Sequence, residues 1–283
     1  LSSVESVARV TPSTPATASA DVAATREIPH MHPRSSLAEK SSQLVRDGYT
    51  CLQGLYPPPE IAQARQRVLE HIQLLRNTRP NPSSGHLAGF HRYPELEPLH
   101  TLLSGQADIL DVLRAASQSP GIRSIGLSDI TVNRSQEWHV DLLRGRYQRH
   151  LSADICWGST GGGVYKVLWY LQGGRSLKVV PGAHTRPIEL HSDQSSQPQD
   201  PSDTLSIGTE AGDVILMDIR LPHRGSSEQE LCSIDYRRTP KILVSTVLGA
   251  VSKPLTRAME AGNFERLHDW DMAHQNHCQP AFF

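Results

Sequence analysis

The chain has 283 residues, with 28 Lys and Arg against 29 Asp and Glu, for a formal net charge of −1. That balance lacks the basic excess that dominates nucleic-acid affinity, and no run approaches the roughly 20 apolar residues that span a bilayer, so both classes are set aside. A hydrophobic fraction of 37% with 20 Gly and 20 Pro puts much of the chain in turns and disfavours a coiled coil or helical bundle. The cysteines, Cys51, Cys156, Cys232 and Cys278, form no C-x-x-C pair and read as reduced thiols in a cytoplasmic compartment. The 14 histidines beside four Phe and four Trp are the unusual feature, because imidazole is the commonest neutral metal ligand.

In chain order, residues 1–34 are Ser, Thr, Ala, Val and Pro without an apolar period, as in TPSTPATASADVAAT. Such a stretch cannot bury enough surface to offset its ordering entropy and reads as a disordered arm, with a processed targeting segment as the alternative. A single domain is expected over 35–283: a helical buttress to 120, a β core over 121–250, and a C-terminal helix. Ser36 is an N-cap signal for a helix with Leu37, Leu44 and Val45 on one face and Gly48 at its end. Tyr49 to Leu55 reads as a short strand. Pro57, Pro58 and Pro59 then open a second helix, with Ile61, Ala64, Val68, Leu69, Ile72 and Leu75 at helical spacing. RNTRPNPSSGHLAG reads as loop, and a third helix is expected from Ala107 to Ala116.

After Pro120 short β-prone runs follow one another between turn residues: IGLSDITVN, VYKVLWYLQ, SLKVVPG, DVILMDI and KILVSTVLGA. Strands without helical pattern between them predict an antiparallel sandwich or barrel, a mainly β fold with flanking α-helices. HSDQSSQPQDPSDT is a polar loop; with the loop around 78–90 it is a candidate lid. A last amphipathic helix carries Leu255, Met259, Phe264, Leu267 and Trp270.

Two segments hold the metal-binding chemistry. EWHVDLLRG presents His139 and Asp141 two residues apart, which in extended chain project to one face. GDVILMDIRLPHRGS places His223 after a β-prone run. If the two strands are neighbours, two imidazoles and a carboxylate meet on one side of a metal, the facial arrangement of non-haem Fe(II) oxygenases. H-x-D alone is weak: with 14 histidines on the order of one such pair arises by chance. Another, His191-Ser192-Asp193, lies in the polar loop where no strand would hold it.

With these pieces together, the chain from about Leu37 to Ala250 resembles the phytanoyl-CoA dioxygenase-like family of Fe(II)- and 2-oxoglutarate-dependent oxygenases. VRDGYTCLQGLYPPPEI is similar to the family's opening, EWHVD to its W-H-x-D motif, VYKVLWYLQGGRSLKVVPGAH to its strand pair and V-P-G-S-H turn, and GDVILMDIRLPHRGS to the segment with the distal histidine.

The resemblance implies a double-stranded β-helix, the jelly roll of the cupins, with iron held by His139, Asp141 and His223. It implies 2-oxoglutarate and O₂ as cosubstrates, with the distal carboxylate of 2-oxoglutarate on a basic residue at the start of the last core strand. Arg237 and Arg238, 14 and 15 residues after His223, are the candidates at a longer offset than usual. Arg238 is preferred because period-two counting puts it on the face of Ile242 and Val244, with Arg237 and Lys241 opposite. Trp169 corresponds to a strand lining the cosubstrate pocket, beside Tyr165 and Lys166; Asn133 is a further polar candidate, and His184 reads as structural.

Asp141 argues against halogenation, which needs a small residue there. Hydroxylation of an unactivated C–H is the default, although desaturation, ring closure and epimerisation start from the same hydrogen abstraction. The expected substrate is a small molecule: a natural-product scaffold, an amino acid or an acyl thioester. Arg144, Arg146, Arg149 and His150 read as a solvated loop that would otherwise greet an anion, and His268, His274 and His277 as exposed. The alternatives are a non-catalytic jelly-roll binding protein and a cupin-like metalloenzyme that does not use 2-oxoglutarate.

Overall fold

Capping fixes where the first described helix begins. In the computed structural model, which describes residues 36–77, 79–187, 200–232 and 239–275, α1 (Leu37–Asp47) begins with a capping box. Glu39 N–H donates to Ser36 Oγ, and Ser36 N–H donates to the Glu39 carboxylate. Gly48 ends the helix at φ 80°, where a Cβ would lie 2.6 Å from the His184 ring, so both the left-handed backbone and the space require glycine. Leu44 is buried but Leu37 and Val45 are exposed, so α1 buries a narrower stripe than its apolar spacing suggests. The expected N-terminal arm lies outside the described residues.

β1 (Tyr49–Leu52) and α2 (Pro58–Glu70) follow as expected, with prolines where the first helical N–H groups would be unpaired. The stretch expected as loop instead contains β2 (Gly85–Ala88), all four residues buried and paired antiparallel with β3. A four-residue edge strand flanked by Pro, Asn and Ser carries too little pattern to register. α3 (Glu97–Ser104), unannounced by the sequence, precedes α4 (Ala107–Ser117). The core strands are β3 (Ile122–Val132), β4 (Val164–Tyr170), β5 (Gly174–Val179), β6 (Leu205–Thr209), β7 (Val214–Asp218), β8 (His223–Arg224) and β9 (Ile242–Ala250). Short helices α5 (Ala153–Trp157) and α6 (Glu228–Cys232) lie between them, and α7 (Pro254–Gln275) follows.

The strands form two antiparallel sheets: six strands in the order β1-β7-β4-β9-β3-β2, and three in the order β6-β5-β8. This is a mainly antiparallel β fold with flanking helices and a jelly-roll core. Two strands from the expected buttress, β1 and β2, extend the large sheet at its edges.

The faces of the large sheet have different partners. Tyr165, Val167 and Trp169 of β4, with Ile242 and Val244 of β9, pack on the helical layer through Leu44, Ile61, Val68, Leu103 and Leu113. Leu168, Tyr170, Ile215 and Met217 point inward against Leu177, Val179, Ile207 and Leu221. Burying each such side chain is worth about 1.5–3 kcal/mol, so both faces are strongly specified. Leu255, Met259 and Leu267 of α7 are buried as expected, while Phe264 stays exposed. Among the described residues no helix is long and apolar enough to cross a membrane.

Candidate metal centre

His139 and His223 sit directly opposite each other in an antiparallel bridge. Each backbone N–H donates to the other's carbonyl at 2.9 Å. That pairing brings the imidazole centroids to 4.2 Å. Asp141, two residues on, is fixed by its N–H donating to Ile219 O at 2.8 Å, so its carboxylate joins the rings. Nε2 of His139 lies 3.6 Å from Asp141 Oδ1, and Nε2 of His223 lies 3.5 Å from Oδ2. The three form the metal-ligating cluster found among the described residues.

The chemistry of this donor set fits a cation. Nδ1–H of His139 donates to Glu137 O at 2.6 Å, and Nδ1–H of His223 to Leu221 O at 2.9 Å. Both Nε2 atoms therefore carry lone pairs toward the centre, the tautomer a metal ligand needs. Asp141 Oδ2 is buried without a hydrogen bond. Three acceptors that face each other repel unless a cation lies among them. Burial pushes the His223 pKa down to about 3, which keeps the ring neutral. Burial alone would raise the Asp141 pKa, but the Lys166 ammonium beside it holds it well below the carboxylate range.

Lys166 was noted in the sequence only as a neighbour of Trp169. Its buried ammonium donates to Asp141 Oδ1 at 3.2 Å and lies 3.1 Å from Oδ2; no other partner holds it among the described residues. A lone lysine inside VYKVLWY was the available signal, since it marks the inward face of β4. By the same alternation Trp169 faces out. It is fully buried in the helical-layer core with its ring centroid 4.3 Å from that of Tyr56, so it does not line the cavity as expected.

The triad opens on a cavity of about 390 Å³. His86 and Asp129 form part of its wall, with His86 Nε2–H donating to Asp129 at 2.9 Å. Asp129 stays ionised, its pKa at about 2: burial alone would raise it, but the His86 hydrogen bond and the fields of Lys166 and Arg266 outweigh burial. A second, smaller recess is lined by Thr131, Tyr170, Gly225, Lys241 and Leu243, and it shares Arg134 and Gln136 with the main cavity.

Arg237 and Arg238 lie outside the described residues. Ile242 and Val244, the residues whose face is expected to meet the cosubstrate, pack on the helices, whereas Leu243 partly packs inward. Lys241, in phase with Leu243, is the inward base. It is 9% exposed, and its Nζ donates to Ser226 Oγ at 2.9 Å. Asn133 holds its backbone: Lys241 N–H donates to Asn133 Oδ1 at 2.8 Å.

Of the basic cluster after the metal motif, Arg146 pairs with Asp269, and Arg149 and His150 with Glu265. His184 is buried and structural, with Nε2–H donating to Val45 O at 3.2 Å. Asp200, within the polar loop, accepts from Trp138 Nε1 and Arg224 Nε, the residues beside the two metal-facing histidines. His268 is exposed; His191, Asp193 and His277 lie outside the described residues.

No protein-family model and no curated protein matches the chain. Solved structures do. An α-ketoglutarate-dependent non-haem epimerase, SnoN from nogalamycin biosynthesis, is 17% identical, with 75% of this chain and 82% of that chain covered at a TM-score of 0.53. HygX from Streptomyces hygroscopicus, with nickel and 2-oxoglutarate bound, is 16% identical over 76% and 87% at 0.53. EctD from S. alaskensis, with 2-oxoglutarate and 5-hydroxyectoine, is 18% identical over 77% and 79% at 0.52. The likeness is one of fold. It places the chain among jelly-roll architectures.

Proposed function

We propose that the protein is an Fe(II)- and 2-oxoglutarate-dependent oxygenase that oxidises a C–H bond of a small molecule, with hydroxylation as the default outcome. The observation that carries the reading is the buried His139–Asp141–His223 acceptor cluster, tautomers fixed for metal, beside a recess that ends in a buried lysine. A metal-only cupin has no use for that lysine, and a binding protein has no use for a complete facial triad.

His139, Asp141 and His223 would hold the metal through Nε2, a carboxylate oxygen and Nε2. When bound, iron would let O₂ serve as the oxidant, taking two electrons from 2-oxoglutarate, which becomes succinate and CO₂, and two from the substrate C–H bond. Glu137 O and Leu221 O orient the histidines, and Lys166 holds the Asp141 carboxylate in place beside them. Lys241 and Thr131 fit the distal carboxylate of 2-oxoglutarate, in place of Arg237 or Arg238. Thr131, Tyr170 and Leu243 wall the recess, and the cavity must hold the substrate C–H close and exclude water. The substrate belongs to the small-molecule classes of natural-product scaffolds, amino acids or acyl thioesters.

The test is 2-oxoglutarate turnover with Fe(II), read as O₂ uptake and succinate formation, alongside Mn(II) binding by electron paramagnetic resonance. His139→Ala and Asp141→Ala are expected to lose both, by about 100-fold or more in affinity. Retention of Mn(II) binding in His139→Ala would sink the triad assignment.

A further inference from the structure

The main cavity carries a charge that its metal and cosubstrate do not balance. Five cations line it against three carboxylates. Asp141 is committed to Lys166 and the proposed metal, and Asp129 accepts a hydrogen bond from His86. A divalent metal and a doubly charged 2-oxoglutarate cancel each other and leave the surplus in place.

The surplus sits on particular side chains. Every carboxylate of α7 is already paired: Glu260 with Arg123, Glu265 with Arg149 and His150, Asp269 with Arg146, and Asp271 with Arg92. Arg266, on the same helix, has no carboxylate within ion-pair distance among the described residues, and it lines the cavity. Four residues along, Trp270 packs edge-on against His86 with ring centroids 5.3 Å apart, which seats this part of the helix on the cavity wall. Arg134, at the end of β3, is partly buried and its Nε has no hydrogen-bond partner. Arg79 reaches the same cavity from the loop before β2. Three guanidinium groups from three separate segments thus converge on one space, none of them in an ion pair among the described residues, with the field of Asp129 reaching Arg134 and Arg266.

We propose that the substrate carries an anionic group, a carboxylate or a phosphate, and that Arg134 and Arg266, with Arg79, hold it in the main cavity. The inference rests on the oxygenase reading for calling that ligand the substrate. The chemistry is that of the guanidinium fork, which binds such oxyanions with two parallel hydrogen bonds. The field among the arginines agrees: burial lowers the Arg134 pKa, Asp129 opposes that, and Arg79 and Arg266 lower it further. An anion relieves that repulsion. Arg134 borders both spaces, but Arg79 and Arg266 line the main cavity and not the Lys241 recess, so the substrate anion would sit at the Arg79 and Arg266 end and the distal carboxylate of 2-oxoglutarate at the Lys241 end. The same grip would fix which carbon of the substrate lies over the metal.

Inorganic phosphate, titrated by calorimetry into the metal-free protein, tests the site. Saturable binding is expected, weakened at least ten-fold by Arg134→Met and by Arg266→Met, and less by Arg266→Lys, which keeps the charge and loses the fork. Arg149→Met, in an outer ion pair, should bind as the wild type does. Melting temperatures are read in parallel; Arg266 and Arg79 are on solvent-reaching positions, so their variants keep the argument testable if Arg134→Met folds poorly. Loading with Mn(II) and 2-oxoglutarate should leave phosphate bound, with its ³¹P line broadened by the metal. Absence of phosphate binding, wild-type affinity in both Met variants, or displacement of phosphate by 2-oxoglutarate overturns the proposal. Undiminished Mn(II) binding in His139→Ala would overturn the metal-centre reading instead, leaving the calorimetric result to stand or fall separately.

Discussion

Replacing Lys241 by Met should make the protein more stable and at the same time a worse binder of 2-oxoglutarate. The ammonium is 9% exposed, and its Nζ bonds only a neutral hydroxyl, Ser226 Oγ at 2.9 Å. Burial pulls its pKa from 10.5 down to about 8, with Glu230 opposing. A depression of that size corresponds to about 3 kcal/mol spent on keeping the charge in place. Met keeps the length and volume without the charge, so part of that strain is relieved, about 1–3 kcal/mol. For a domain of this size that is a rise of roughly 2–10 °C in melting temperature. A carboxylate on the lysine is a charge-assisted hydrogen bond worth about 1.5–3 kcal/mol, so 2-oxoglutarate affinity should fall roughly 10- to 150-fold.

The pH dependence supplies the sign. The folded pKa lies below the unfolded value, so the native state releases this proton first and the stability penalty fades as pH rises from about 8 toward 10.5. Affinity for 2-oxoglutarate should be flat below pH 8 and then weaken by up to about ten-fold per unit above it, a dependence that Lys241→Arg should remove. Calorimetric titration of 2-oxoglutarate into Mn(II)-loaded protein between pH 6.5 and 9.5, with thermal melts of the metal-free form, reads both effects. Unchanged affinity in Lys241→Met, or a lower melting temperature, refutes the reasoning.

Three further perturbations separate the site from its scaffold. Lys166→Met leaves the Asp141 carboxylate buried without its cation, which should cost the metal-free protein about 3–5 kcal/mol. Because a metal then becomes the sole counter-charge, Mn(II) should raise the melting temperature of this variant more than that of the wild type, and an equal or smaller rise would refute the pairing. Trp169→Leu, on the helical side of β4, should lower stability by about 2–4 kcal/mol while leaving the 2-oxoglutarate Michaelis constant within about two-fold; a large change in that constant would return Trp169 to the pocket. Burial lowers the His100 pKa to about 4, helped by His91 and opposed by Glu97. The unfolded chain takes that proton first, so the stability from neutral His100 is complete above pH 6.5 and is lost as pH falls toward 4, up to about 3 kcal/mol. His100→Gln should flatten the fall between pH 7 and 4 measured by urea unfolding, and an unchanged slope would count against it.

The triad was legible because its geometry is local. His139 and Asp141 need only an extended backbone to share a face, and the bridge to His223 needs only that the two segments be neighbours. Helix ends were equally legible at Ser36 and Gly48, where a side-chain oxygen and a missing Cβ act on adjacent residues. The proposed anchor for 2-oxoglutarate was not. All seven residues of β4 and nearly all of β9 are buried, so alternation says which residues share a face but not which face meets the cavity. Ile242 and Val244 suggested an interior and found one, the helical layer.

What breaks the symmetry is a polar side chain inside an apolar strand. Lys166 has no reason to sit in VYKVLWY unless its side of the strand meets a charge, and it meets Asp141. Trp169, three residues on, is then required to face the other way, and the pairing of β4 with β9 carries the same sign across: Lys166 opposes Val247, which is in phase with Lys241. One misplaced-looking lysine thus orients both strands and puts Lys241 on the inward side. The arginines have no such local marker. Arg79, Arg134 and Arg266 are ordinary surface residues in sequence, and the basic run at 144–150 looked the better anion site. α7 reverses that order by spending its four acids on Arg123, Arg149, His150, Arg146 and Arg92, so the charge left for a ligand is decided by which cations the helix leaves unpaired, a property of tertiary pairing that no reading of spacing contains.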